Sequence, residues 1–302
     1  MALKDIKSKI KATERTHKVT RAMEAVSAVK MRKTQSTAIA GRAYARAALS
    51  ILARLSGSAD IARHPLAQER IVKNIALVIL TSDKGLAGAL NSGVIKAASD
   101  ALALYPVSAV TVYAYGKKGE EYFARRNYRV ARAYENKKDT VELSVMEELA
   151  TELSHEFSRG AYDEVFVAYS NFKSTFEQTP AVRRLLPLSL AAVTELVKDI
   201  VPGKGKWSEL RAIEAPASYT VEPGDAEVLE YLVPKLVSIS LYHLLLEAKA
   251  SEHSARMVAM KNASDKSEEV AHDLTRLFNK IRQAGITREV SEIIGGREAL
   301  AT

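Results

Sequence analysis

The sequence contains no cysteine, which excludes a disulfide framework, a thiolate nucleophile and a thiolate metal site. Aromatic residues make up only 6% of the 302 positions, and residues 1–43 hold none at all; Tyr44 is the first. Between Leu3 and Leu55 there is no proline, and Gly41 is the single glycine. Long apolar runs are missing too. The longest uncharged stretch, Ala101–Gly116, spans 16 residues and includes Pro106, short of the ~20 apolar residues that a membrane-spanning helix needs. No apolar signal region stands at the N-terminus, so the chain reads as mature, soluble and cytosol-facing.

The motifs of common catalysts are also absent. There is no G-x-x-x-x-G-K-[ST] loop, no G-x-G-x-x-G after a strand, no G-x-S-x-G elbow and no H-E-x-x-H. The six histidines, His17, His64, His155, His243, His253 and His272, form no close pair with metal-ligand spacing. Carboxylate pairs such as Glu147-Glu148 fall on helix faces that read as solvated. The expectation is therefore no catalytic residue, no cofactor and no metal.

What the chain does have is an ordinary globular composition, 47% hydrophobic and 26% charged, and a net charge of +8. The charge is unevenly placed. Residues 1–46 carry twelve basic groups against Asp5, Glu14 and Glu24, while the remaining chain is almost neutral. Such an arm attracts an acidic partner, whether nucleic acid, anionic lipid or a carboxylate-rich protein surface. A nucleic-acid reader would need stacking aromatics, which the arm lacks; a basic coiled-coil nucleic-acid-binding protein is the alternative reading.

Good helix formers fill Leu3 to Leu55, predicting one helix of roughly 80 Å that stops near Ser56-Gly57-Ser58. Leu3, Ile6 and Ile10 open a 3/4-spaced stripe that turns polar at Thr13, His17 and Thr20. A second stripe at Val19, Met23 and Val26 suggests that the seam drifts sideways. From Leu229 the alternation runs through Leu236, His243, Ala250, His253, Met257, Met260, Ser264, Ser267, Leu274, Phe278 and Ile281 to Arg288. A 3.5-residue period argues for a left-handed supercoil against a partner helix. Pro234 is expected to break or kink its start, so the main helix should run from Lys235 to Ile294, with Gly295-Gly296 as its stop.

Between these helices the period changes. Ile75–Leu80, Val107–Tyr115, Tyr128–Tyr134 and Val165–Tyr169 read as strands; Leu86–Leu104, Lys117–Arg126 and Val141–Arg159 read as helices. This alternation predicts α/β units around a mostly parallel sheet. Val193–Val221 reads as loop and connector. Thr81–Gly88, between a strand and a helix, could cradle an anion, but reads more simply as a Ser/Asp-capped turn.

Three blocks then resemble the gamma subunit of F-type rotary ATP synthases. They are Lys18–Met23 with Lys30–Lys33, Thr81–Asn91, and Ala250–Ala263 continuing into Asn279–Thr287 and Glu289–Ile293. The resemblance spans the chain and implies an antiparallel coiled coil of the terminal helices (1–57 and 225–302) with an inserted α/β foot and connector (58–224). It implies a central rotor shaft that couples ion-driven c-ring rotation to conformational cycling of a catalytic alpha–beta hexamer, for ATP synthesis or hydrolysis. The partners implied are three alpha and three beta subunits, epsilon and the membrane c-ring, with no nucleic acid and no direct membrane insertion. The place implied is the cytoplasmic face of a bacterial inner membrane.

Carried over by position, Met23, Arg256, Arg282, Gln283 and Thr287 would face the beta subunits, and Arg42, Tyr44 and Glu222 the c-ring or epsilon. The chain departs from the family at Ala43, where proline is common, at Ala87, where cysteine is frequent, and at Gly285, where alanine is usual. The polar positions Thr13, His17, Thr20, Ser264 and Ser267 suggest a seam loosened in places.

Overall fold

The computed structural model describes residues 3–55, 64–137, 141–188 and 224–299, with α1 side chains described as far as residue 37. The chain divides into two compact units. One comprises residues 1–27 and 256–302, the other residues 28–255. Two helices run through both: α1 (Leu3–Leu55) and, at the far end, a helix spanning Asp225–Ala299.

The larger unit is built on a five-stranded sheet. Its elements are β1 (Ile75–Leu80), α2 (Leu90–Leu102), β2 (Val110–Tyr115), α3 (Lys117–Ala124), β3 (Arg129–Tyr134), α4 (Leu143–Ser158), β4 (Glu164–Phe172) and β5 (Gln178–Leu186), followed by α5, the Asp225–Ala299 helix. The strand order is β3-β2-β1-β4-β5. The β1–β2, β1–β4 and β2–β3 pairs are parallel, and β5 returns antiparallel to β4. β1 is buried at all six positions, the mark of a central strand covered on both faces. One face packs Ala76, Val78 and Leu80 under α4 and the first turns of α5, through Met146, Leu149, Phe157, Val237, Leu241 and Leu245. The other packs Ile75, Leu77 and Ile79 against Val94, Ala98 and Leu102 of α2 and against Phe123.

The alternation of strands and helices predicted this architecture, with four corrections. Residues 86–89 are not helical; α2 begins at Leu90, and Leu86 has φ +63°. Val107–Ala109 is a short 3-10 turn that feeds β2 rather than part of it. β5 was not foreseen; it carries Pro180, and as the sheet's last strand it tolerates a residue without an N–H. The fourth concerns α5.

α5 is one helix that passes Pro234 unbroken and continues through Gly295-Gly296 to Ala299. An interior proline costs ~3 kcal/mol. Burying Leu229, Val233, Leu236 and Val237 contributes roughly 1.5–3 kcal/mol per side chain, more than enough to hold the turn. From Leu236 to Ser254 no position of the helix is exposed, so the 3.5-residue seam does not govern there. One window of α5 is apolar enough to cross a membrane by length and composition, and half of it is buried. Leu236, Val237, Leu241 and Leu245 lie in that stretch of helix and belong to the core beneath the sheet.

In the smaller unit α1 runs toward residue 27 and α5 away from residue 256, as antiparallel partners, and His17 meets Ser264. On α5 the positions between Met260 and Arg288 that are not exposed are Ser264, Ser267, Ala271, Leu274, Phe278, Ile281 and Gly285, the 3/4 stripe expected, with Ala263 and Val270 beside it; Arg288, at its end, is exposed. The stop near residues 56–58, the 193–221 connector and Glu222 lie outside the described residues, as do the side chains of Arg42 and Tyr44.

Candidate functional site: a two-faced helix pair and a filled crevice

The seam of α1 does not drift. It follows the heptad from Ile6 through Ile10, Thr13, His17 and Thr20 to Ser27. Thr20 and Ser27 are 8% and 3% exposed, whereas Val19 and Val26, one residue earlier, are 57% and 53% exposed. The polar residues face inward and the valines outward. The reason lies in the hydroxyls. Thr13 Oγ1 donates to Lys9 O at 2.9 Å and Thr20 Oγ1 to Thr16 O at 2.9 Å. With its hydroxyl satisfied by its own helix, threonine presents a methyl to the partner at little polar cost. Across the seam, His17 Nδ1 lies 3.0 Å from Ser264 O and 3.1 Å from Ser264 Oγ.

The outer surface of this pair is correspondingly apolar in stripes. Val19 and Val26 lie on that surface; Ile286, Val290 and Ile293 of α5, 53%, 48% and 72% exposed, stand beyond it, since His17 opposite Ser264 puts Leu3 opposite about residue 278. Lys4, Lys7, Lys11, Arg15 and Lys18 of α1 are also exposed. Arg282, Gln283 and Thr287 share the stretch of α5 that carries the isoleucines and are exposed; Thr287 Oγ1 donates to Gln283 O at 3.0 Å, which joins those two along one face. Met23 is half-buried beside the seam, and Arg256 is buried.

The sheet unit has a second feature that sequence reasoning missed. The chain leaves β1 to one side, through β2 and β3, and returns on the other as β4. Strand order therefore reverses between β1 and β4, where a doubly wound fold opens a crevice for its ligand at the carboxyl ends of the strands. Here that crevice holds α5. Ser251 Oγ donates to Ser170 O at the end of β4 at 2.9 Å. Asn136, just past β3, donates through Nδ2 to Thr81 O at 2.6 Å and to Glu252 Oε2 at 3.4 Å. Lys249 Nζ reaches Asn136 O at 3.4 Å, and Ser254 Oγ donates to Thr175 O at 2.6 Å.

Asp83, weighed above as part of a capped turn, fastens the other side. Its carboxylate accepts from Lys117 N and Asn136 N, each at 2.9 Å. It therefore caps α3 rather than the helix that follows it in sequence. Ser82 is held by Asn91, whose Oδ1 accepts from Ser82 N at 3.0 Å and whose Nδ2 donates to Ser82 Oγ at 2.7 Å. Gly116, at φ +104°, passes so close to Thr81 that a Cβ would lie 2.0 Å from its carbonyl oxygen. Burial, with the nearby carboxylates Asp83, Glu142 and Glu252, pushes the Tyr115 hydroxyl up to about 12. Among the described residues no cluster of His, Asp and Glu is arranged to hold a metal ion.

A family described as ATP synthase matches residues 2–300. The ATP synthase gamma chain of Roseiflexus castenholzii is 39% identical, covering 99% of this chain and 98% of the relative. That of Pelotomaculum thermopropionicum is 36% identical, covering 99% of each. Among solved structures, a chain from the central stalk and c-ring of the Tetrahymena thermophila mitochondrial ATP synthase aligns with a TM-score of 0.60 and 25% identity, covering 82% of this chain and 99% of that one. A chain of the Euglena gracilis mitochondrial ATP synthase shares the fold at TM-score 0.64 and 17% identity, over 99% and 94% of the two chains. With this likeness along its whole length, the chain belongs to the gamma-chain family of ATP synthase.

Proposed function

We propose that the chain is the central shaft of a rotary ATP synthase and itself catalyses nothing. The observation that carries this is the two-faced helix pair. A free-standing coiled coil buries its apolar residues between its helices, but here the seam turns polar at Thr13, His17, Thr20 and Ser27 while Val19 and Val26 face out. Exposed apolar stripes of this kind mark surfaces covered by another protein. A sheath of alternating alpha and beta subunits, three of each, would cover them. Met23, Arg256, Arg282, Gln283 and Thr287 are the proposed contacts with beta.

The foot, residues 58–224, would rest on the c-ring beside epsilon at the cytoplasmic face of the membrane, with Arg42, Tyr44 and Glu222 at that contact. ATP would be bound by the surrounding subunits; the filled crevice supports a non-catalytic role for this chain. Rotation also requires contacts that break easily. Exposed Lys and Arg against acidic segments contribute only about 0–1 kcal/mol each, weak enough to be remade at every step.

The test is charge reversal at Arg282, which is exposed and outside the seam. Arg282→Glu should lower coupled ATP synthesis and ATP-driven ion pumping in the assembled enzyme while the sheet unit keeps its melting temperature. Unchanged synthesis and pumping would count against the assignment of that contact. Failure of the chain to co-purify with alpha and beta subunits would overturn the shaft reading.

A further inference from the structure

We propose that residues 249–254 of α5 and the strand ends around them form a torsional clamp, which sets how stiffly rotation passes between the sheet unit and the C-terminal helix. The proposal rests on the shaft reading and extends it to named residues. The hydrophobic effect that holds a helix in place is itself non-directional. Hydrogen bonds are directional and resist rotation about the helix axis.

At about 100° per residue, Lys249 and Glu252 fall on one side of α5, and Ser251 and Ser254 on the opposite side. Each meets a different piece of backbone or side chain: Lys249 the Asn136 carbonyl, Ser251 the end of β4, Glu252 the Asn136 amide, and Ser254 the turn after β4. A helix braced on two opposite sides cannot turn without breaking several of these bonds together.

The burial and the position both fit. Ser251 and Ser254 are 0% exposed, Lys249 2% and Glu252 7%, so their bonds are not exchanged for bonds to water and act in a low dielectric. The braced stretch is also the last of α5 within the sheet unit, which ends at Ala255. An apolar plug would fill the crevice and fold as well or better, since buried charged groups are costly to desolvate. Orientation is what the polar groups add. Asn136 is the pivot: it joins Thr81 and Glu252, and its own backbone N–H is held by Asp83. Asn136, Ser251 and Glu252 are thus positioning residues for torque transfer.

The test uses the complete enzyme with its hexamer immobilised. Because the chain has no cysteine, a single Lys117→Cys on the exposed surface of α3 takes a rotation probe. ATP-driven rotation is recorded for the parent and for Asn136→Ala and Ser251→Ala, together with ATP turnover. The clamp predicts that the angular spread of the probe within each dwell at least doubles in both variants, at ATP turnover within twofold of the parent. Ser251→Thr, which keeps the hydroxyl, should restore the narrow distribution. Ser251→Ala removes one oxygen and so keeps the test open if Asn136→Ala does not assemble. An unchanged angular spread, including one accompanied by a lower melting temperature, would show the contact to be structural only and overturn the clamp. A parent complex with no probe rotation would overturn the shaft reading and the clamp with it.

Discussion

A single methyl group at Gly116 should unmake the sheet unit. At φ +104° a side chain is strained, and the added Cβ would meet the Thr81 carbonyl oxygen at 2.0 Å, its carbon at 2.6 Å and Oγ1 at 2.9 Å. The obstruction is backbone, which cannot swing aside as a side chain could. For the methyl to fit, the end of β1 has to part from the start of α3. Four hydrogen bonds cross that gap or flank it. Thr81 N donates to Tyr115 O at 2.8 Å and Gly116 N to Tyr134 O at 2.9 Å. Thr81 Oγ1 donates to Gly116 O at 3.1 Å and accepts from Gly119 N at 2.9 Å. At ~1 kcal/mol for each bond lost and about 1–3 kcal/mol for backbone strain, Gly116→Ala should cost ~5 kcal/mol. That approaches the whole stability of a domain, ~5–15 kcal/mol. At about 2–4 °C per kcal/mol, the melting temperature of the free chain should fall by ~10–20 °C, followed by circular dichroism. Gly85→Ala is the control, since nothing lies within 4 Å of its added Cβ. Equal melting of the two variants would refute the argument.

Two further outcomes follow from the seam and the crevice. His17→Ala leaves the buried Ser264 hydroxyl without its cross-helix partner and should destabilise the helix pair by about 1–3 kcal/mol. His17→Leu combined with Ser264→Ala removes both polar groups and should melt at or above the parent temperature; a double variant melting below the single one would contradict this. Tyr115 is held neutral, with its ionisation raised to about 12 from a usual value of ~10. Because the folded value is the higher one, its contribution to stability is complete below the usual value and is lost as pH climbs through about 12. Tyrosinate absorbance should therefore show one late-titrating group that Tyr115→Phe removes, with Tyr113 and Tyr169 also raised by burial; an unchanged titration curve would exclude it.

The long helices and the β1–β4 core were legible because periodicity records burial directly. Ile75–Leu80 is continuous and apolar because both faces of β1 are covered, and the α5 stripe after Met260 keeps its spacing because a helix lies against it. Where the sequence misled, polar and apolar residues had exchanged their usual places. Val19 and Val26 looked like a second stripe and are exposed, while Thr20, where the first stripe turned polar, is buried, as is Ser27. Hydropathy cannot show that a threonine hydroxyl is already satisfied by its own helix. Leu86 looked helical for the same reason and is 61% exposed.

The crevice was illegible in a different way. Thr81, Asp83, Gly116, Asn136, Ser170 and Ser251 are scattered along the chain and meet only because the strand order reverses at β1. The local hint was the polar run of Ser251, Glu252, His253 and Ser254 after the apolar stretch Leu244–Leu246. Of the residues assigned by resemblance, Gln283 and Thr287 lie one turn apart on a common face, whereas Arg256 is buried.

The outward valines and isoleucines give temperature unequal leverage on the two sides of each helix. Attraction between apolar surfaces fades on cooling, whereas hydrogen bonds such as that between His17 and Ser264 do not rest on that effect. Chilling would thus loosen the rod's grip on whatever sleeve encloses it before it parts the rod's own strands. Salting-out anions such as sulfate, which strengthen apolar association, would tighten the same fit.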